Sequence, residues 1–165
     1  MPEMTEKISF TINGEYRSVE IDEEMMVIDV IRDVLDLTGT KRGCDNATCG
    51  TCVIVMNGKA VKSCNTPASK MQGANILTIE GLAKGMELHP IQKAIAESGA
   101  VQCGFCTPGI VMELHALLES KPDASETELS NALNKHLCRC TGYEPIRDGA
   151  LIAQQLIRER MTEKA

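Results

Sequence analysis

Residues 44–64 read CDNATCGTCVIVMNGKAVKSC and hold four of the chain's eight cysteines. Three of them, Cys44, Cys49 and Cys52, must converge from one short loop. Gly43, Asn46 and Gly50 suit such a loop, because they tolerate unusual backbone angles and leave amide groups free to face the sulfurs. The apolar run after Cys52 then turns at Asn57-Gly58, the strongest short hairpin signal. The returning strand ends at Cys64, which brings the fourth thiol back beside Cys52.

The same grammar continues outward. Ile8, Phe10 and Ile12 alternate, Asn13-Gly14 makes a turn, and Val19 and Ile21 resume the alternation, predicting a first hairpin. From about Glu24 the period lengthens: Val27, Val30, Ile31 and Val34 mark one face of a helix, with Gly39 as its expected stop. ANILTIE (74–80) predicts a further strand. Two hairpins around one helix suggest, by analogy, a β-grasp unit over residues 1–82.

Composition bounds the class. The 165 residues are 43% hydrophobic but only 2% aromatic, so the core must be aliphatic. A net charge of −6 argues against a nucleic-acid surface. No apolar run approaches the roughly 20 residues that span a bilayer. MPEMTEKISF lacks the features of a secretory signal, so a soluble cytoplasmic protein is expected. Reducing compartments rarely keep structural disulfides, which turns eight cysteines toward metal binding.

Cys44-x4-Cys49-x2-Cys52, followed after eleven intervening residues by Cys64, opens with the plant-type spacing for a [2Fe–2S] cluster. Structural zinc also takes four thiolates, but usually from two paired knuckles, and only one such pair is present.

The stretch GLAKGMELHP (81–90) reads as a linker, and residues 83–165 carry helical patterns only. PIQKAIAES (90–98) is a short helix stopped by Gly99. Pro108 suits a helix start ahead of Ile110, Val111, Leu114, Leu117 and Leu118. Ser125 and Glu128 form a capping box before Leu129, Leu133 and Leu137. Pro145 opens a last helix carrying Ile146, Ala150, Ile152, Ala153 and Leu156. Four helices predict a small bundle, so the fold class expected is α+β.

Within this half, VQCGFCTPG (101–109) and CRCTGY (138–143) contribute Cys103, Cys106, Cys138 and Cys140. Taken alone, these four fit zinc or a redox dithiol as well as a cluster. A helix starting after Cys106 would offer amides and a positive dipole end to an anionic site. His89, His115 and His136 show no partner spacing, and the last two read as surface or satisfied side chains.

The eight cysteines in this order, with these flanking residues, resemble the iron–sulfur subunit of the xanthine oxidase family of molybdenum hydroxylases, over about residues 7–160. The resemblance implies a ferredoxin-like β-grasp domain holding one [2Fe–2S] cluster on Cys44, Cys49, Cys52 and Cys64. It implies a second cluster on Cys103, Cys106, Cys138 and Cys140 in the helical domain, with Gln102 and Cys140 touching a molybdopterin cofactor. The partners implied are a large molybdopterin-binding subunit and a medium FAD-binding subunit, arranged as a dimer of heterotrimers. Electrons would pass singly between pterin and flavin; a free two-cluster ferredoxin is the rival reading. Ala47 and Thr51 depart from the pattern, since many members have Gly and Ala there. That departure leaves the ligands intact and bears on contact with a flavin partner.

Overall fold

A computed structural model describes residues 5–163. Strands β1 (Glu6–Ile12), β2 (Glu15–Ile21), β3 (Val53–Met56), β4 (Lys59–Lys62) and β5 (Asn75–Leu77) form one mixed sheet in the order β2-β1-β5-β3-β4. Both hairpins turn where the sequence predicts. Asn13 and Gly14 have φ of 51° and 83°, and Asn57 and Gly58 have 50° and 78°, the paired positive angles that match the strands' twist. The β1–β5 pairing is parallel and all others are antiparallel.

Helices α1 (Val27–Asp29), α2 (Pro90–Glu97), α3 (Thr107–Ser120), α4 (Glu126–Leu133) and α5 (Glu144–Glu163) complete an α+β architecture. The capping box of α4 is present: Ser125 Oγ accepts from the Glu128 N–H at 3.3 Å, and the Ser125 N–H donates to Glu128 Oε2 at 2.9 Å. Pro90 and Pro108 each sit in the first turn of their helix, where a missing N–H costs nothing.

Strand β3 explains how the two halves join. Its four residues, Val53 to Met56, are all buried, because the sheet is covered on both faces here. Ile54 and Met56 face a core of Ile8, Phe10, Val27, Ile31, Met71 and Ile76. Val53 and Val55 face the other way, into a core with Ile91, Ile110, Leu114, Leu129, Ile146 and Ile157. Each such aliphatic side chain contributes about 1.5–3 kcal/mol on burial. The helices are therefore packed onto the sheet through a shared core, and β3 is common to both.

Three details differ from the sequence reading. Helix α1 is one turn that runs on as a π-turn (Val30–Val34) and ends at Leu35, with Asp36 at φ 57°. Val34 is exposed, and Gly39 serves a different purpose: its N–H donates to Glu80 Oε1 at 2.7 Å, and a Cβ there would collide with Ile79. The expected strand 74–80 is shorter, since Ile79–Gly81 forms a 3₁₀ turn. Leu137 and Ile152, read as helix-core positions, are exposed. Leu137 lies beyond the end of α4, for a reason found at the cysteines.

Candidate metal centres

The loop before β3 gathers Cys44, Cys49 and Cys52, and the end of β4 returns Cys64. The Cys49 N–H donates to Cys44 Sγ at 3.4 Å, and the Cys52 and Cys64 sulfurs lie 3.3 Å apart. The backbone N–H of Cys49, with those of Asn46 and Thr48, lowers the Cys44 thiol to about 6. Burial, then the neighbouring Cys52, pushes Cys64 up to about 12. The amides favour the Cys44 thiolate, whereas burial and the neighbouring sulfur disfavour one at Cys64. Positive φ at Ala47 (56°) and Gly50 (74°) turns the loop, and Lys62 Nζ donates to the Ala47 carbonyl at 2.6 Å.

The second set brings Cys103 and Cys106, just ahead of α3, against Cys138 and Cys140. Burial, then contact with Cys138, raises Cys106 to about 12; contact with Cys103 raises Cys140. Burial works against the Cys138 thiolate, but donors from Thr141 and Cys140 outweigh it and bring its pKa down. Thr141 Oγ1 lies 3.1 Å from Cys138 Sγ, and the Cys138 N–H donates to Tyr143 Oη at 2.9 Å. Cys106 is buried and Cys138 half-buried, whereas Cys103, Cys140 and Gln102 are exposed. Arg139 points to solvent.

Each set is thus two pairs: Cys44 with Cys49 and Cys52 with Cys64; Cys103 with Cys140 and Cys106 with Cys138. None of the eight is in a disulfide. A single tetrahedral zinc at Zn–S of about 2.3 Å would hold all four sulfurs roughly 3.8 Å apart. Among the described residues, no three cysteine sulfurs lie mutually within 4.8 Å. Paired thiolates suit a cluster of two irons, one pair to each.

The two sets meet through backbone. The Leu137 N–H donates to the Cys49 carbonyl at 2.9 Å. A Cβ on Gly50 would lie 2.6 Å from His136 Nδ1, and one on Gly109 would collide with the Gly50 carbonyl, so the start of α3 and the 135–137 segment both rest on the first loop. Glu113, buried on α3, pairs with Lys135, and its Oε2 is 3.8 Å from His136 Nε2. His136 is therefore not a surface residue, and its nearest acid is Glu113. It is buried, and neither ring nitrogen has a hydrogen-bond partner within 3.5 Å, the Glu113 carboxylate lying just beyond that reach. The sequence reading missed Glu113, whose signal is a lone acid inside the apolar run GIVMELHALL.

His89, His115 and Glu119 form a separate cluster, with ligand atoms within 4.8 Å of one another and imidazole centroids 5.1 Å apart. Burial, then the neighbouring His115 and the cationic Arg160 and Lys84, lowers His89 to about 4.

Comparison with known proteins converges on these centres. Residues 6–96 match the family described as 2Fe-2S iron-sulfur cluster binding domain, and residues 78–151 the [2Fe-2S] binding domain. Fold and site thus define an iron–sulfur protein with two [2Fe–2S] clusters. The chain is 42% identical over 147 residues to the nicotine 6-hydroxylase small subunit of Paenarthrobacter nicotinovorans, covering 89% of this chain and 88% of that one. It is 39% identical over 163 residues to the aldehyde oxidoreductase of Megalodesulfovibrio gigas, covering 97% of this chain but only 18% of that longer protein. The structure of quinoline 2-oxidoreductase from Pseudomonas putida 86 contains a chain that superposes with a TM-score of 0.88 at 38% identity, covering 94% of this chain and 97% of that one. The chain belongs to the iron–sulfur small subunits of the xanthine oxidase family of molybdenum hydroxylases. Its role is electron transfer within an oxidoreductase. No helix of the structure is long and apolar enough to cross a membrane.

Proposed function

We propose that this chain relays single electrons between a molybdopterin site in a large partner subunit and FAD in a medium one, within a cytoplasmic dimer of heterotrimers. Residues 1–82 form the plant-type ferredoxin-like β-grasp domain, with Cys44, Cys49, Cys52 and Cys64 as ligands. Residues 83–165 form the helical bundle domain, with Cys103, Cys106, Cys138 and Cys140 as ligands. Each cluster, when bound, supplies reversible storage of one electron.

The asymmetry of the second set carries this reading. Cys103 and Cys140 are exposed beside Gln102, while Cys106 is buried and Cys138 half-buried. The outward pair suits contact with a cofactor held by another chain, and Gln102 and Cys140 are the residues proposed to touch the pterin. Val101, Phe105 and Leu137 are exposed apolar side chains close to these cysteines in sequence, the kind of surface that the core of a docking patch buries. Inward, the Cys138 segment reaches the Cys49 carbonyl through the Leu137 N–H, a short bonded connection between the sets.

The test is copurification together with one substitution. The tagged chain should bring down a large molybdenum-containing subunit and a flavin-containing one. Gln102→Ala should keep both clusters yet slow electron transfer from molybdenum in single-turnover experiments. Recovery of the chain alone, or unchanged kinetics, would count against this assignment.

A further inference from the structure

Thr51 lies between Cys49 and Cys52 and is only 3% exposed. Its hydroxyl donates to the Lys41 carbonyl oxygen at 3.1 Å, and its Oγ1 also sits 3.1 Å from Cys49 Sγ, a contact in which either atom can donate. We infer that the Thr51 hydroxyl donates to the Cys49 sulfur and raises the reduction potential of the first cluster. The inference rests on the proposed ligation by Cys49.

A thiolate bound to iron carries no proton, so in this contact the sulfur can only accept and the hydroxyl must donate. The hydroxyl has one proton and two acceptors, a neutral carbonyl and an anionic sulfur. Charge-assisted hydrogen bonds are the stronger kind, and burial sharpens the difference. A cluster held by Cys49 would carry more negative charge on its ligand sulfurs once it accepted one electron from a donor such as the titrating reductant. The Thr51 bond to that sulfur would strengthen on reduction, which favours the reduced form.

The surroundings keep the hydroxyl in place. A Cβ on Gly43 would stand 2.8 Å from Thr51 Oγ1 and 3.2 Å from Cys49 Sγ, so glycine leaves the room this contact needs. On the other side, Gly109 at the start of α3 lets the helix approach the Thr51 backbone closely. The second set offers an internal comparison: Thr141 Oγ1 lies 3.1 Å from Cys138 Sγ, and accepts from the Tyr143 N–H at 3.2 Å, which leaves its own proton for the sulfur.

The experiment is an EPR-monitored reductive titration of the cluster-loaded chain, comparing wild type with Thr51→Val, Thr51→Ala and Thr51→Ser. At the wild-type midpoint of the first centre, Thr51→Val and Thr51→Ala should lower its reduced-to-oxidised ratio about tenfold, equivalent to 59 mV for one electron. Thr51→Ser should restore the wild-type value, and the second centre should not move in any variant. Unshifted potentials in Val and Ala variants that retain both signals would overturn the inference, as would equal shifts of both centres. A wild-type chain without two reducible centres would instead overturn the two-cluster reading, and this inference with it.

Discussion

The backbone N–H of Leu137 points at the carbonyl of Cys49 and donates to it at 2.9 Å, joining the neighbour of one cysteine set to a member of the other. The Leu137 side chain is 59% exposed, so the main chain of this residue matters more than its apolar group. Leu137→Pro removes the donor and leaves the Cys49 carbonyl unpaired, and should lower stability by about 1–3 kcal/mol. Leu137→Ala should stay within about 0.5 kcal/mol of wild type. Urea denaturation of both variants checks this; equal effects would show that the side chain, not the bond, is responsible.

Glu113 gives the pH dependence. Burial alone would raise its carboxyl pKa, but His136 and Lys135 outweigh that and hold it below the usual 4.5. A carboxylate with a lowered pKa contributes stability that is present above the unfolded value and is lost as pH falls through the folded one. Glu113→Gln should therefore cost about 1–3 kcal/mol at neutral pH. The gap from wild type should close as the pH drops below the ordinary carboxylate range. Denaturation midpoints measured across that window decide it, and a gap independent of pH would rule out the charge as its source.

Legibility in the sequence followed the range of the interaction. The turns at Asn13-Gly14 and Asn57-Gly58 and the Ser125–Glu128 capping box were legible because their chemistry is local. The cysteine sets were legible from spacing and flanking residues. Leu137 was not: its four-residue step from Leu133 imitates a continuing helix, but contacts with Cys49 and Gly50 draw the chain away after Leu133. Gly39 likewise looks like a helix stop, while its requirement comes from Ile79 and Glu80, some forty residues along the chain. The buried His136 depends on Glu113 and Gly50, which no local pattern links to it.

Ala47 holds φ at 56°, a left-handed angle that costs an L-residue roughly 1–2 kcal/mol. Glycine avoids that strain but loses more backbone entropy on folding, about 0.5–1 kcal/mol. Ala47→Gly should accordingly stabilise the chain by about 0.5–1 kcal/mol, since the Lys62 contact is to the backbone carbonyl and survives the change. A lower denaturation midpoint in this variant would contradict the loop geometry described for the first set.

The central claim, two [2Fe–2S] clusters on eight cysteines, is tested most directly by measuring iron and acid-labile sulfide per chain. The account predicts about four of each, on two paired-thiolate sites. Zinc without sulfide, or about two irons and two sulfides on a fully loaded chain, would contradict it.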